Sequence, residues 1–317
     1  MSADADSGAS GCQHGRGQHN PGQHDPGQHG PAAGGAVPPQ QRRPASPADG
    51  PVRGGRTGVI FGALTLGAIA FTVLQSLVIP ALPVIQEELG TDQATSSWAL
   101  TGYLLSATVA TPILGRLGDM FGKKKMLVLI MGALAAGSVL GALSTSIGML
   151  IVARLIQGLA GAIFPLSFGI IRDEFPARRV PGAIGMMSAM LGVGSGVGMV
   201  VAGPLIDALS WRWLFWAPMV LAALAAAAAA VFIPESRVRA PGRVNLPAAA
   251  ALSGWLVALL LGLNKGASWG WLAAPTLGLF ALAAVLFAVW TQIENRSAEP
   301  LIDLRMMRIP AVWRTNL

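Results

Sequence analysis

The sequence has almost none of the residues on which soluble chemistry is built. A single cysteine, Cys12, excludes an intrachain disulfide and any thiolate cluster for zinc. The four histidines, His14, His19, His24 and His29, all precede residue 30, so the long apolar body holds no imidazole for acid–base or metal work. Charged residues make up 12% of the 317, against roughly 25% in soluble domains, while 53% are hydrophobic. That leaves too little polar surface for a chain folded in water, and it excludes most soluble enzyme classes. No cofactor motif is present, and the Gly-rich GVGSGVG string lies inside a hydrophobic run with no strand before it, so it is not a dinucleotide loop.

What is there divides near residue 57. Proline and glycine make up 20 of the first 57 residues, above the roughly 25–30% that marks aperiodic low-complexity sequence, so 1–57 is read as a disordered tail. Its repeat GQHNP, GQHDP, GQHGP spaces three imidazoles evenly; they are either weak transition-metal ligands without fixed geometry or part of a plain solvated segment. No apolar stretch follows Met1, which excludes a secretory signal peptide.

Beyond the tail the charges act as punctuation. Charge-free runs cover 57–86, 93–115, 126–153, 155–171, 180–206, 213–234, 244–264 and 266–293, and most reach the ~20 residues that carry a helix across hydrocarbon. The run from 126 is split by the polar turn 144–148, and the next span is interrupted only by Arg154, which makes eight spans. Such unbroken apolarity fits helices and not barrel strands, which alternate at period two. The spans contain no carboxylate.

With the tail inside, the inner segments hold Arg42, Arg43, Arg53 and Arg56, then Arg116 and Lys123 to Lys125. They also hold Arg172, Arg178 and Arg179, then Arg237, Arg239 and Arg243, and finally Arg296, Arg305, Arg308 and Arg314. Outer loops, expected at 87–93, 144–148, 209–212 and 264–268, hold only Arg212 and Lys265, so the count is eighteen to two for a cytoplasmic N-terminus. The net charge of +7 is scattered over alternate loops with no continuous basic stripe, which excludes a nucleic-acid partner. Trp211, Trp213 and Trp216 are read as anchors at headgroup level.

The loops and spans then become specific. Residues 115–125 read GRLGDMFGKKK, with Gly115 and Gly122 permitting a tight turn around the carboxylate Asp119. This segment resembles the signature Gly-x-Leu-x-Asp-Arg/Lys-x-Gly-Arg/Lys-Arg/Lys of the major facilitator superfamily. Gly115, Leu117, Asp119, Gly122, Lys123 and Lys124 match, whereas Met120 takes a usually basic place. ARLIQGLAGA matches the family pattern Arg-x-x-Gln-Gly through Arg154, Gln157 and Gly158. An arginine within a span costs at least ~2.5 kcal/mol to insert, so it either faces a polar cavity or snorkels to the nearby outer surface. In the fifth span Gly185, Gly194, Gly198 and Gly203 fall on the family's antiporter spacing, with Met199 for its proline and Ala202 for a glycine. Small residues at that spacing are also a general helix-packing device.

Two spans follow the sixth after a short connection, which resembles the fourteen-helix drug:proton antiporter branch. The resemblance implies an all-helical facilitator fold without cofactor or metal, divided into a six-helix N-terminal half (58–234), a two-helix insert (244–293), and a segment 294–317 that begins a ninth helix. The second half would follow beyond. It implies a plasma-membrane exporter of small amphipathic molecules, driven by protons as in that branch, with Gln75, Arg154 and Gln157 expected to line the substrate cavity. Asp119 and its basic loop would gate the inner side, with a partner helix terminus in the second half. Leu74 stands where relatives carry an acid in the first span, so a proton carrier is expected elsewhere. The other reading, from a different class, is a non-transporting membrane scaffold or gene remnant.

Overall fold

The computed structural model describes residues 54–236 and 245–297, with side chains from Thr57 onward. The histidine repeat, Arg237, Arg239 and Arg243, and the segment after 297 lie outside the described residues. The chain forms α1 (Gly54–Glu88), α2 (Gln93–Ser96), α3 (Trp98–Phe121), α4 (Lys123–Ala142) and α5 (Ile147–Gly158). These are followed by α6 (Ile163–Glu174), α7 (Val180–Ala208), α8 (Trp213–Phe232), α9 (Leu246–Trp269) and α10 (Ala274–Arg296), with no strand among the described residues. A 3-10 turn at Leu159–Ala162 joins α5 to α6, so they make one span, and among the described residues the helices of membrane length number eight. The chain is an all-α polytopic membrane protein, as its charge-free runs dictate: hydrocarbon offers no partner to a backbone N–H or C=O, and a helix satisfies both internally.

The spans run alternately between a basic end, carrying Lys123 to Lys125, Arg172, Arg178 and Arg179, and an opposite end carrying Glu88 and Arg212. Local chemistry sets several boundaries. Ser146 Oγ accepts from the Met149 amide at 3.3 Å and opens α5, and Asn245 Oδ1 accepts from Ala248 at 3.1 Å and opens α9.

Glycine decides how closely the helices approach. A Cβ on Gly194 would overlap Thr72 Oγ1, and one on Gly198 would lie 2.8 Å from the Val73 carbonyl, so α7 packs against α1 through Gly194, Gly198 and the buried Ala202. Gly185 and Gly203, on the same antiporter spacing, meet nothing within 4 Å. A large core gathers α1 and α3 to α8, and a separate small cluster of Ala248, Ala251, Leu252 and Trp290 lies between α9 and α10. The second cluster is tied to the first at the opposite end, where Asn264 Nδ2 donates to Thr101 Oγ1 at 3.0 Å and Lys265 Nζ lies 5.0 Å from the Trp98 ring centre.

Four expectations are corrected. Gly115 lies within α3, and only Gly122 (φ 116°) makes the turn, because GRLGDMF continues the helix to Phe121. Residues 264–268 are the last turns of α9 and not a loop; the break comes at Gly270 (φ 96°). Trp211 is fully buried beneath α1 and is no headgroup anchor, whereas Trp213 is half exposed. Carboxylates also enter the helices that span: Glu294 is buried in α10, which runs past its charge-free stretch to Arg296.

Candidate functional site

Two polar clusters stand out in a chain this apolar, one buried between the helices and one at the basic end. The buried cluster centres on Arg154, whose side chain is fully enclosed. It lies two turns inside α5, and its guanidinium does not snorkel outward. Nε donates to the Ala99 carbonyl at 3.3 Å and Nη1 to Gln157 Oε1 at 2.8 Å. Gln157, one helical turn on, passes the chain of bonds to α4 by donating from Nε2 to Ser138 Oγ at 3.1 Å. On the other side the guanidinium carbon lies over the Tyr103 ring, 4.2 Å from its centre, and Tyr103 Oη donates to Gln75 Oε1 at 3.3 Å. Side chains of α1, α3, α4 and α5 thus join in one network, and the three cavity residues expected from the sequence belong to it. Gln75 is its partly exposed member; Arg154 and Gln157 are enclosed.

Arg154 is held inside an apolar bundle because two acceptors, the Ala99 carbonyl and Gln157 Oε1, and the face of Tyr103 replace much of the water it gives up. One position is left over: Arg154 Nη2 is buried without a hydrogen-bond acceptor. Gly158 follows from the same packing. A Cβ there would come within 2.8 Å of the Tyr103 carbonyl, so the glycine of the Arg-x-x-Gln-Gly pattern lets α3 close on α5 and brings the ring under the guanidinium.

At the basic end, Lys123 Nζ lies 2.9 Å from Asp173 Oδ2 and 3.8 Å from Asp119 Oδ1, and Ser236 Oγ donates to the same Asp173 oxygen at 2.7 Å. Three spans meet at one lysine. Asp119 therefore has a partner inside the chain, four residues on and across the Gly122 turn, which corrects the expectation that its partner lies only in a second half. Gly122 opens α4 with a left-handed φ and no room for a side chain: a Cβ would run into the Glu235 carboxylate, which sits against the first turn of α4, where an anion is favoured. A cavity of about 330 Å³ is bounded by Gly115, Asp119, Lys123, Phe168 and Asp173. Leu117 packs on the main core, and Lys124 forms no ion pair among the described residues. A third cluster pins the opposite end, where Trp211 Nε1 donates to Glu88 Oε2 at 2.6 Å and Arg212 Nη1 lies 3.2 Å from the same oxygen.

Sequence reasoning missed Tyr103, Ser138, Asp173, Ser236 and Glu235. Tyr103 carried a signal, as the sole tyrosine of the chain. The others are a common residue type at a span or a span end, and their partners lie at large sequence separations, as with Lys123 and Asp173, 50 residues apart.

The relatives place these features. The chain is 33% identical over 248 residues to the tetracenomycin C resistance and export protein of Streptomyces glaucescens, covering 78% of this chain and 46% of that protein. It is 31% identical to a probable actinorhodin transporter of Streptomyces coelicolor over 79% of this chain and 44% of the relative. It is 28% identical to multidrug resistance protein 3 of Bacillus subtilis, over 79% and 49%. The chain spans about half the length of these curated relatives. Among solved structures, the POT family transporter PepTSo shares the fold with a TM-score of 0.50 at 15% identity, over 75% of this chain and 54% of its own. The profile of the Major Facilitator Superfamily matches residues 64–292, most of the helical body, and the chain belongs to that superfamily.

Proposed function

We propose that the chain is the N-terminal part of a proton-coupled exporter of small amphipathic molecules that works by alternating access in the cell membrane, with its N-terminus in the cytoplasm. In this reading 1–57 is a cytoplasmic tail, 58–234 the first six-helix half, 244–293 a two-helix insert, and 294–317 a cytoplasmic segment leading to a ninth helix. The relatives named for export and resistance support the substrate class, and the charge asymmetry supports the orientation.

The observation that carries the proposal is the buried network of Gln75, Tyr103, Arg154, Gln157 and Ser138. A structural role alone does not call for an ion there, because an apolar residue of similar volume fills such a site at no desolvation cost. A carbonyl or anionic group on a substrate would supply the acceptor that Arg154 Nη2 lacks, and Gln75 would meet it from α1. Neither glutamine nor arginine releases a proton near neutral pH, so coupling falls to a carboxylate. Asp119 and Asp173, sharing Lys123, form the inner gate of this scheme, together with Gly115, Leu117, Gly122 and Lys124. Gly185, Gly194, Gly198, Ala202 and Gly203 would form the antiporter-like face of α7, with the middle three against α1.

The test is efflux of an amphipathic dye from cells expressing this chain joined to a second six-helix half, with and without a protonophore. Arg154→Lys keeps the charge but loses the planar fork, and is expected to insert, fold and transport slowly. Arg154→Leu is expected to fold and not to transport. Normal efflux by Arg154→Leu would remove Arg154, Gln157 and Gln75 from the pathway together.

A further inference from the structure

A second cavity, lined by none of the residues of the Arg154 network or of the Lys123 cluster, opens at the basic end between the first turns of α1 and α7. Its volume is about 400 Å³, and its wall is made by Phe61, Phe175, Ala183 and Met186, with Arg179 at its rim. Phe61 and Phe175 meet edge to face with ring centres 6.2 Å apart, a stiff aromatic back wall. Two glycines keep the space open. A Cβ on Gly58 or on Gly182 would meet nothing within 4 Å, so both glycines border open space.

The charge at the rim is uncompensated. Arg179 is exposed and has no carboxylate within 4.0 Å among the described residues, and its neighbour Arg178 is in the same position. Depth adds the third observation. Arg178 and Arg179 form the turn at the start of the span Ala177–Ala208, while Val59 and Met186, just inside it, turn outward at 45% and 57% exposure. The site is therefore a slot that is apolar on its hydrocarbon side and cationic where the span meets water.

We propose that this slot binds one molecule of anionic phospholipid, its phosphate on the Arg179 guanidinium and the first part of an acyl chain between Phe61, Phe175 and Met186. A guanidinium presents paired donors to a phosphate, and burying acyl methylenes against aromatic rings adds an attraction that free phosphate lacks. The net negative charge of the lipid matters, because Arg178 and Arg179 together leave more positive charge than a zwitterionic headgroup offsets. The occupied slot ties α1, the α6–α7 turn and α7 together at the end where Lys123 gathers its carboxylates.

The experiment uses the purified full chain in detergent micelles, titrated with phosphatidylglycerol or with phosphatidylcholine of the same acyl chains. Bound lipid is read by native mass spectrometry and the unfolding midpoint by tryptophan fluorescence. The expected result is one retained phosphatidylglycerol and a midpoint raised by several degrees, with a shift at least twofold smaller for phosphatidylcholine. Arg179→Gln is expected to bring the phosphatidylglycerol shift down to the phosphatidylcholine level. Gly182→Leu, whose Cβ meets nothing within 4 Å and whose longer side chain adds bulk at the slot, is expected to remove the retained lipid while leaving the lipid-free midpoint in place. Lys125→Gln, at the same end but outside the slot, is expected to change neither readout. Equal shifts from the two lipids, a full phosphatidylglycerol response in Arg179→Gln, or retained lipid in Gly182→Leu would each overturn the proposal.

Discussion

Replacing Gly198 by alanine tests whether the glycines of α7 are spacers or only a sequence habit. A Cβ at 198 lies 2.8 Å from the Val73 carbonyl oxygen and 2.9 Å from Ser76 Cβ, about 0.6 Å inside ordinary contact. Backbone cannot rotate away as a side chain does, so α1 and α7 must separate along the interface that holds the first span in place. Overpacking of this kind costs ~1–3 kcal/mol. The higher helix propensity of alanine returns ~1 kcal/mol, leaving a net loss of about 0–2 kcal/mol. Gly203→Ala serves as the reference, because its Cβ meets nothing within 4 Å and it collects the same propensity gain. The difference between the two variants isolates the steric cost, ~1–3 kcal/mol, or a gap of about 2–12 °C at ~2–4 °C per kcal/mol for a body of this size. Gly194→Ala should fall between them: the Thr72 hydroxyl can turn away by giving up its 3.0 Å bond to the Ala68 carbonyl, which leaves one tight fixed contact, Thr72 Cβ at 2.9 Å, where Gly198→Ala meets two. The assay is thermal unfolding of all three variants in one detergent, followed by tryptophan fluorescence. A Gly198→Ala midpoint equal to or above that of Gly203→Ala would refute the account of α7 packing.

Three further outcomes are expected. Asp173→Asn removes the 2.9 Å partner of Lys123 and weakens the Ser236 bond, costing ~1 kcal/mol, whereas Asp119→Asn, half exposed at 3.8 Å, costs under ~0.5 kcal/mol; chemical unfolding of both should show this order. Trp211→Phe keeps the buried ring but takes the indole donor from Glu88, and is expected to lower stability by ~1 kcal/mol, with little further loss when Glu88→Gln is added, as a double-mutant cycle would report. Single cysteines at Thr145 and Ser268, with Cys12 removed, should react with an impermeant maleimide outside intact cells while one at Lys125 is protected; the reverse pattern would invert the orientation.

The sequence by itself determined the solvent of this protein, the number of its spans and the family motifs they carry. Those are local properties: a helix in hydrocarbon satisfies its own backbone, so the length of each charge-free run is sufficient to mark a span, whatever its neighbours do. Ends were less legible where a helix outran its run, as α3 does through Asp119 and α9 through Lys265. Only the tertiary structure decided which polar groups meet. Arg154 and Gln157 share a helical face and could be paired from spacing, but the ring beneath the guanidinium comes from another span. The Asp173 partner of Lys123 lies 50 residues away, and the Glu88 that holds Trp211 lies 123 residues away. Tryptophan in a boundary segment reads as an anchor until a carboxylate across the bundle is found to receive its N–H. A motif of glycines reads as uniform until Gly194 and Gly198 are seen against α1 and Gly185 and Gly203 against nothing. The physical reason is the same in each case: insertion into hydrocarbon is settled residue by residue, while the pairing of buried polar groups depends on which helix faces pack together.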